Sequence, residues 1–120
     1  MQYMLLIYSN ENGAAENDPD VLKRYGTFTE DVRKNGKLVT ADRLKPTAAA
    51  TTVRIRNGET LVTDGPFAET KEQLGGYYVL ECENIDEAIA YAAKIPTAED
   101  GSVEVRPVWD IRHQERRTDR

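Results

Sequence analysis

Tyr3-Met4-Leu5-Leu6-Ile7-Tyr8 is the stretch whose reading decides the fold. A short, continuous apolar run that ends in Ser9-Asn10-Glu11-Asn12-Gly13, a cluster of turn formers, fits a β-strand covered on both faces. Side chains alternate along a strand, so Tyr3, Leu5 and Ile7 point one way and Met4, Leu6 and Tyr8 the other. Tyr77-Tyr78-Val79-Leu80-Glu81-Cys82-Glu83 repeats this two-sided pattern. A helix covers one face of such strands. The other face needs a different cover.

Two helices supply the first cover. Asp18-Pro19 is a start signal, with the aspartate as N-cap and the proline at the first helical position. Val21, Leu22, Tyr25, Phe28 and Val32 follow as one apolar stripe, and Asn35-Gly36 stops it, which predicts a helix from about Pro19 to Asn35. Asn84 with Glu87 three positions later resembles a capping box. It opens a second stripe of Ile85, Ala88, Ile89, Ala92 and Ile95 that Pro96 closes.

The remaining strands are shorter. Lys37–Ala41 reads as one, and Ala48-Ala49-Ala50 is too short to build a helix. Thr51–Arg56 and Glu59–Thr63 flank Asn57-Gly58, the strongest short-range hairpin signal. A two-residue loop pairs Arg56 with Glu59, Ile55 with Thr60 and Val53 with Val62, which gathers Val53, Ile55 and Val62 on one side. Gly75-Gly76 reads as a bulge or loop rather than a nucleotide motif. Ser102–Arg106 alternates as a last strand, which Pro107 places at an edge.

The order is strand, helix, strand, hairpin, strand, helix, strand. Without the hairpin this is the split βαβ plan of an α+β, ferredoxin-like domain. Its helices lie on one sheet face only. The bare face predicts a homodimer packed sheet to sheet; the competing cover is the inserted hairpin or the C-terminal tail of the same chain.

Composition bounds the function. At 120 residues, with 39% hydrophobic and 31% charged side chains, the chain suits one globular domain. We assign residues 1–109 to it and 110–120 to a charged tail. A net charge of −5 argues against a nucleic-acid partner. No apolar run approaches the ~20 residues of a membrane span, and the N-terminus lacks a secretory pattern, so a cytoplasmic protein without a membrane partner is expected. Cys82 is the only cysteine, which excludes an internal disulfide. No phosphate-cradling glycine loop, zinc spacing or nucleophile elbow occurs, so no cofactor is expected.

The densest knot of chemistry is Thr63-Asp64-Gly65-Pro66-Phe67-Ala68-Glu69-Thr70-Lys71-Glu72. Asp64, at a strand end beside Phe67, suits an acid–base role in a small-molecule cleft, or else an Asx turn onto nearby amides. Glu69, Lys71 and Glu72 suit substrate binding, and Glu69 and Glu72 with Asp64 a carboxylate cluster for a hard cation or proton transfer; otherwise they are solvated or paired with Arg54 or Arg106. Arg106 suits an anionic substrate, or a paired charge at a dimer edge. Tyr8 reads as a barrel-wall residue that lines the same ligand space. His113, in the tail, belongs to no element.

Met4–Tyr8, the long run Leu61–Tyr78 and Val103-Glu104-Val105-Arg106-Pro107 together resemble the DGPF branch of the YCII-related family, from Met1 to about Val108. The resemblance implies a dimeric α+β barrel of ferredoxin-like subunits. YCII-type relatives are suspected enzymes with a histidine–aspartate pair in a cleft; the aspartate corresponds to Asp64, while the histidine has no counterpart, Tyr25 lying in the corresponding helix. The branch is also encoded near extracytoplasmic-function sigma factors, which implies as an alternative an accessory protein in that signalling, acting through protein contacts.

Overall fold

A computed structural model describes residues 1–12 and 18–110. His113 and all of the tail beyond Asp110 therefore lie outside the described residues. The chain order is β1 (Gln2–Ser9), α1 (Pro19–Lys34), β2 (Leu38–Arg43), β3 (Thr51–Arg56), β4 (Glu59–Asp64), β5 (Gln73–Glu81), α2 (Ile85–Ala92) and β6 (Ser102–Pro107). Short 3-10 turns occupy Thr47–Ala49 and Pro96–Glu99.

Four strands form one antiparallel sheet in the order β2-β5-β1-β6, and β3 with β4 form a separate two-stranded sheet. This is the α+β, split βαβ plan read from the sequence, with the hairpin as an insertion between β2 and β5. β1 sits inside the sheet, between β5 and β6, as its two-sided apolar pattern requires. β6 is an edge strand and ends at Pro107.

Local signals act as expected. Asp18 Oδ1 accepts from the Asp20 amide at 2.9 Å, Pro19 opens α1, and Gly36 takes the left-handed conformation (φ 70°) after it. Asn84 Oδ1 accepts from the Glu87 amide at 2.9 Å, while the Glu87 carboxylate accepts from the Glu83 amide at 3.1 Å. The reciprocal half of that cap thus falls one residue before the N-cap. In the hairpin, Asn57 (φ 53°) and Gly58 (φ 78°) are both left-handed, the mark of a type I′ turn, and Arg56–Glu59, Ile55–Thr60 and Val53–Val62 pair as predicted.

The core lies between the sheet and the two helices. Leu5 and Leu80 are completely buried, together with Val32 and Ala88, and Phe28 meets Tyr78 edge to face with centroids 5.0 Å apart. Burial of a leucine side chain of this kind stabilises by about 1.5–3 kcal/mol. Cys82 belongs to the same core, where burial pushes its thiol pKa up and keeps it unreactive.

Two expectations need correction, and one competing alternative falls away. β5 begins at Gln73 rather than Tyr77, so Gly75-Gly76 lies within a strand. There Ile7 pairs with Gly76 and Tyr8 with Leu74, which leaves Gly75 as the bulged residue. The second helical stripe is also narrower than its spacing suggests. Ala88, Ala92 and Ile95 are buried, but Ile85 and Ile89 are about half exposed, because the alanines bring α2 against the sheet and its isoleucines flank the contact. Finally, the hairpin does not fold over the bare face of its own sheet. Val53, Ile55 and Val62 are 60–65% exposed. The chain measures 18 Å in its thinnest direction, room for one sheet and one helix layer ~10–12 Å across. Nothing within the described residues lies on the second face.

Candidate functional site

A cleft of about 720 Å³ opens between α1 and the helix-covered side of the sheet. Its floor exists because two neighbouring strands, β5 and β2, present small residues there. Gly76 pairs with Ile7 on one side and Arg43 on the other, with Ala41 two residues before Arg43. A Cβ added at Gly76 would lie 2.9 Å from the Asp42 carbonyl oxygen, so glycine is required for β2 to approach β5 this closely. The bulge at Gly75 bends the strand at the same point. Val21, Leu22, Tyr25 and Thr29 of α1 form one wall, and Pro96 and Thr97 of the second 3-10 turn form another.

Two phenols are aimed into this space. The Tyr25 hydroxyl shares a hydrogen bond with Thr97 Oγ1, and the Tyr78 hydroxyl shares one with Thr29 Oγ1 at 2.6 Å. Burial pushes both phenol pKa values up, so both are protonated at neutral pH and serve as hydrogen-bond donors rather than bases. An Arg24–Glu99 ion pair crosses the rim, linking α1 to the 3-10 turn. It is exposed, so it contributes little to stability. Arg43 reaches the cleft from the floor. The arrangement is a mostly apolar slot with a few convergent polar groups, the usual build of a small-molecule site.

The residues singled out in the sequence stand elsewhere, in two groups. Tyr8, Glu72 and Arg106 come together on and beside the bare face of the sheet. Met4 pairs with Arg106, Leu6 with Glu104 and Tyr8 with Ser102, and the Ser102 hydroxyl donates to Glu72 at 2.8 Å. Arg106 Nε also donates to Glu104 at 2.8 Å, the paired-charge arrangement, and its own pKa rises through that bond. Asp64, Phe67, Glu69 and Lys71 lie at the root of the β3–β4 arm and in the loop after it, exposed, with Phe67 at 79%. The loop holds its shape through its own backbone: Gln73 Nε2 donates to the Ala68 and Thr70 carbonyls at 3.1 Å, and Arg54 donates to the Phe67 carbonyl. The Asp64 carboxylate makes no hydrogen bond among the described residues, whereas the Gly65 amide donates to the Ala50 carbonyl, so the Asx-type turn does not form.

The Asp64-Gly65-Pro66-Phe67 loop does not line this cleft. The hairpin stands off the body and carries that loop with it. The sequence reading missed this cleft; the signal that could have found it is Gly75-Gly76 beside Tyr77-Tyr78, with Tyr25 and Thr29 one helical turn apart. No group of three or more histidine, cysteine, aspartate or glutamate side chains positioned to hold a metal occurs among the described residues.

Fold and cleft define a ferredoxin-like α+β domain with a helix–sheet pocket. The chain belongs to the YCII-related domain family, whose model matches residues 1–112. It is 42% identical over 114 residues to an uncharacterised protein of Rhizobium meliloti (strain 1021), covering 90% of this chain and 92% of that one. Among solved structures it resembles the 5-chloro-2-hydroxyhydroquinone dehydrochlorinase of Burkholderia phenoliruptrix AC1100, in complex with 2,5-dihydroxybenzoquinone. That match has a TM-score of 0.55 and covers 94% of this chain and 98% of the other. At 14% identity it shows a shared fold. No helix among the described residues is long and apolar enough to cross a membrane.

Proposed function

We propose that this protein binds, and acts on, a small ring-sized organic molecule in the cleft between α1 and β5, and that it works as a homodimer. The observation that carries the reading is the Gly76 floor. A sheet position that admits no side chain leaves an apolar slot under one buried phenol, Tyr78, and one half-buried phenol, Tyr25. A planar ligand lies on Gly76 and Ala41 and presents oxygen atoms to Tyr25 and Tyr78. Protonated phenols favour chemistry in which negative charge develops on a ligand oxygen, because each donates a hydrogen bond to that charge. The dehydrochlorinase of like fold, bound to a dihydroxybenzoquinone, supports a ligand of this size and shape.

For Asp64 the proposal is narrower. Its carboxylate takes an acid–base role only when a second subunit covers the arm, since in one subunit it faces water. The test is a thermal-shift screen of hydroxylated benzenes, quinones and simple benzoates on wild type, Tyr25→Phe and Asp64→Asn. A ligand that stabilises wild type should stabilise Tyr25→Phe less, with affinity lower by about three- to tenfold for one lost hydrogen bond. Equal stabilisation of wild type and Tyr25→Phe by every ligand would refute the cleft reading.

A further inference from the structure

A threonine or tyrosine hydroxyl has one hydrogen to give and two lone pairs to receive with. In the cleft this count fixes which way the hydrogen bonds run. Thr29 Oγ1 donates to the Tyr25 carbonyl oxygen, one turn back along α1, at 2.9 Å. A carbonyl has no hydrogen to return, so this bond uses the only one that Thr29 has. The 2.6 Å bond between Thr29 Oγ1 and the Tyr78 hydroxyl therefore runs in one direction, with Tyr78 donating. Tyr78 is held in that position. Its ring meets Phe28 edge to face, and its backbone pairs with Leu5 on one side and Ala41 on the other. What its oxygen still offers the cleft is lone pairs. Tyr25 differs. Its partner, the Thr97 hydroxyl, has no other hydrogen bond among the described residues, so that bond forms in either direction. Turning both hydroxyls over keeps the bond and brings out either the hydrogen or a lone pair of Tyr25.

We propose that the cleft takes a ring that carries a protonated hydroxyl, phenolic or enolic, at the Tyr78 end and a carbonyl or second hydroxyl at the Tyr25 end, with Thr29 as the positioning residue that sets this polarity. This rests on the cleft reading above and names the class of ligand within it. A ligand oxygen without a hydrogen, such as a quinone carbonyl or an aryl ether, meets lone pairs at Tyr78. It gains a bond there only if Tyr78 turns its hydrogen away from Thr29, and for a neutral oxygen that trades one bond for another. A hydroxyl gives its own hydrogen to Tyr78 and leaves the Thr29 bond intact. For an oxygen on which negative charge develops, the turn becomes favourable, because a hydrogen bond to a charged group is about twice as strong as a neutral one. One phenol thus accepts from the bound hydroxyl and donates to the same oxygen as its charge grows.

The experiment measures binding of two probes, para-hydroxyacetophenone and its methyl ether, to wild type, Thr29→Val, Thr29→Ser and Tyr78→Phe, with circular dichroism to establish that each variant folds. Wild type should bind the hydroxyl probe more tightly than the ether. In Thr29→Val the Tyr78 hydrogen loses its acceptor and turns into the cleft, so the ether gains a bond. The preference for hydroxyl over ether should then fall by about three- to tenfold, the worth of one hydrogen bond. Thr29→Ser restores the acceptor and should restore the wild-type preference. Tyr78→Phe keeps the ring against Phe28 and should lose the preference as well, which decides the question if Thr29→Val does not fold. A cleft that is merely loosened weakens both probes alike and leaves their ratio unchanged. The same ratio in wild type and in the folded Thr29→Val or Tyr78→Phe variant overturns the Tyr78 polarity and leaves the cleft standing. Binding of neither probe to wild type at millimolar concentration overturns the cleft reading and the polarity together.

Discussion

The four-stranded sheet and the two-stranded arm are built by the same rule and end in opposite states. In both, apolar and polar side chains alternate and paired strands gather the apolar ones on one side. In the large sheet, Leu5 and Leu80 fall to zero exposure because α1 and α2 supply a layer over them. In the arm, Val53 and Val62 pair as well as any residues in the protein, yet both stay at 60% exposure or more. Alternation and register are properties of a strand pair, whereas burial needs a further layer, and for the arm that layer is not among the described residues.

The largest contrast should appear on truncation. Leu80→Ala is expected to cost about 2–5 kcal/mol in urea unfolding, the range for a buried leucine. Val62→Ala, measured at a concentration low enough to keep single chains, should stay within about 0.5 kcal/mol. Comparable losses at the two sites would mean that the arm is packed after all.

Backbone approach gives the next largest effect. Gly76→Ala should cost about 1–3 kcal/mol, because the added methyl meets a carbonyl oxygen that only a shift of β2 can relieve. Gly75→Ala, one position away, has only 4.0 Å contacts and should be tolerated. Thermal unfolding of the two variants side by side reads the difference. Equal melting temperatures would remove the argument for the cleft floor.

Ionisable groups sharpen the comparison least. The hydrogen bond from Lys37 holds the Glu87 pKa down, and the Arg24 bond does the same for Glu99. A carboxylate depressed in the folded state contributes stability above its unfolded value, ~4.3, and loses it as pH falls through the lower folded value. Acid unfolding of Lys37→Met should therefore be shallower than that of wild type below about pH 4. At the other end, the raised Tyr25 and Tyr78 pKa values stabilise the folded state most fully below ~10, and that stability declines as pH climbs higher. Both effects belong to the body, and neither should change when the arm is altered.

The sequence carried the fold nearly whole. Helix caps, the Asn57-Gly58 turn and the two-sided pattern of Tyr3–Tyr8 are local signals, and each was obeyed. What it hid was distance. Asp64 and Phe67 are close in sequence to β5, but the arm carries them off the body. Conversely, Tyr25, Thr97 and Gly76 are far apart along the chain and meet only because α1 crosses the bulge. The exposure of Ile85 and Ile89 was hidden for a similar reason. A stripe gives the apolar side of a helix, not how far a pair of alanines lets that helix lean.

The proposed ligand space is the slot under α1 rather than the loop at Asp64. Backbone amide NMR of the full chain, titrated with 2,5-dihydroxybenzoquinone as the probe, tests it most directly. The account predicts shifts concentrated at Val21, Tyr25, Ala41, Gly76 and Thr97, with the Asp64–Glu72 amides still. Shifts confined to Asp64–Glu72, with Gly76 and Tyr25 unmoved, would contradict it.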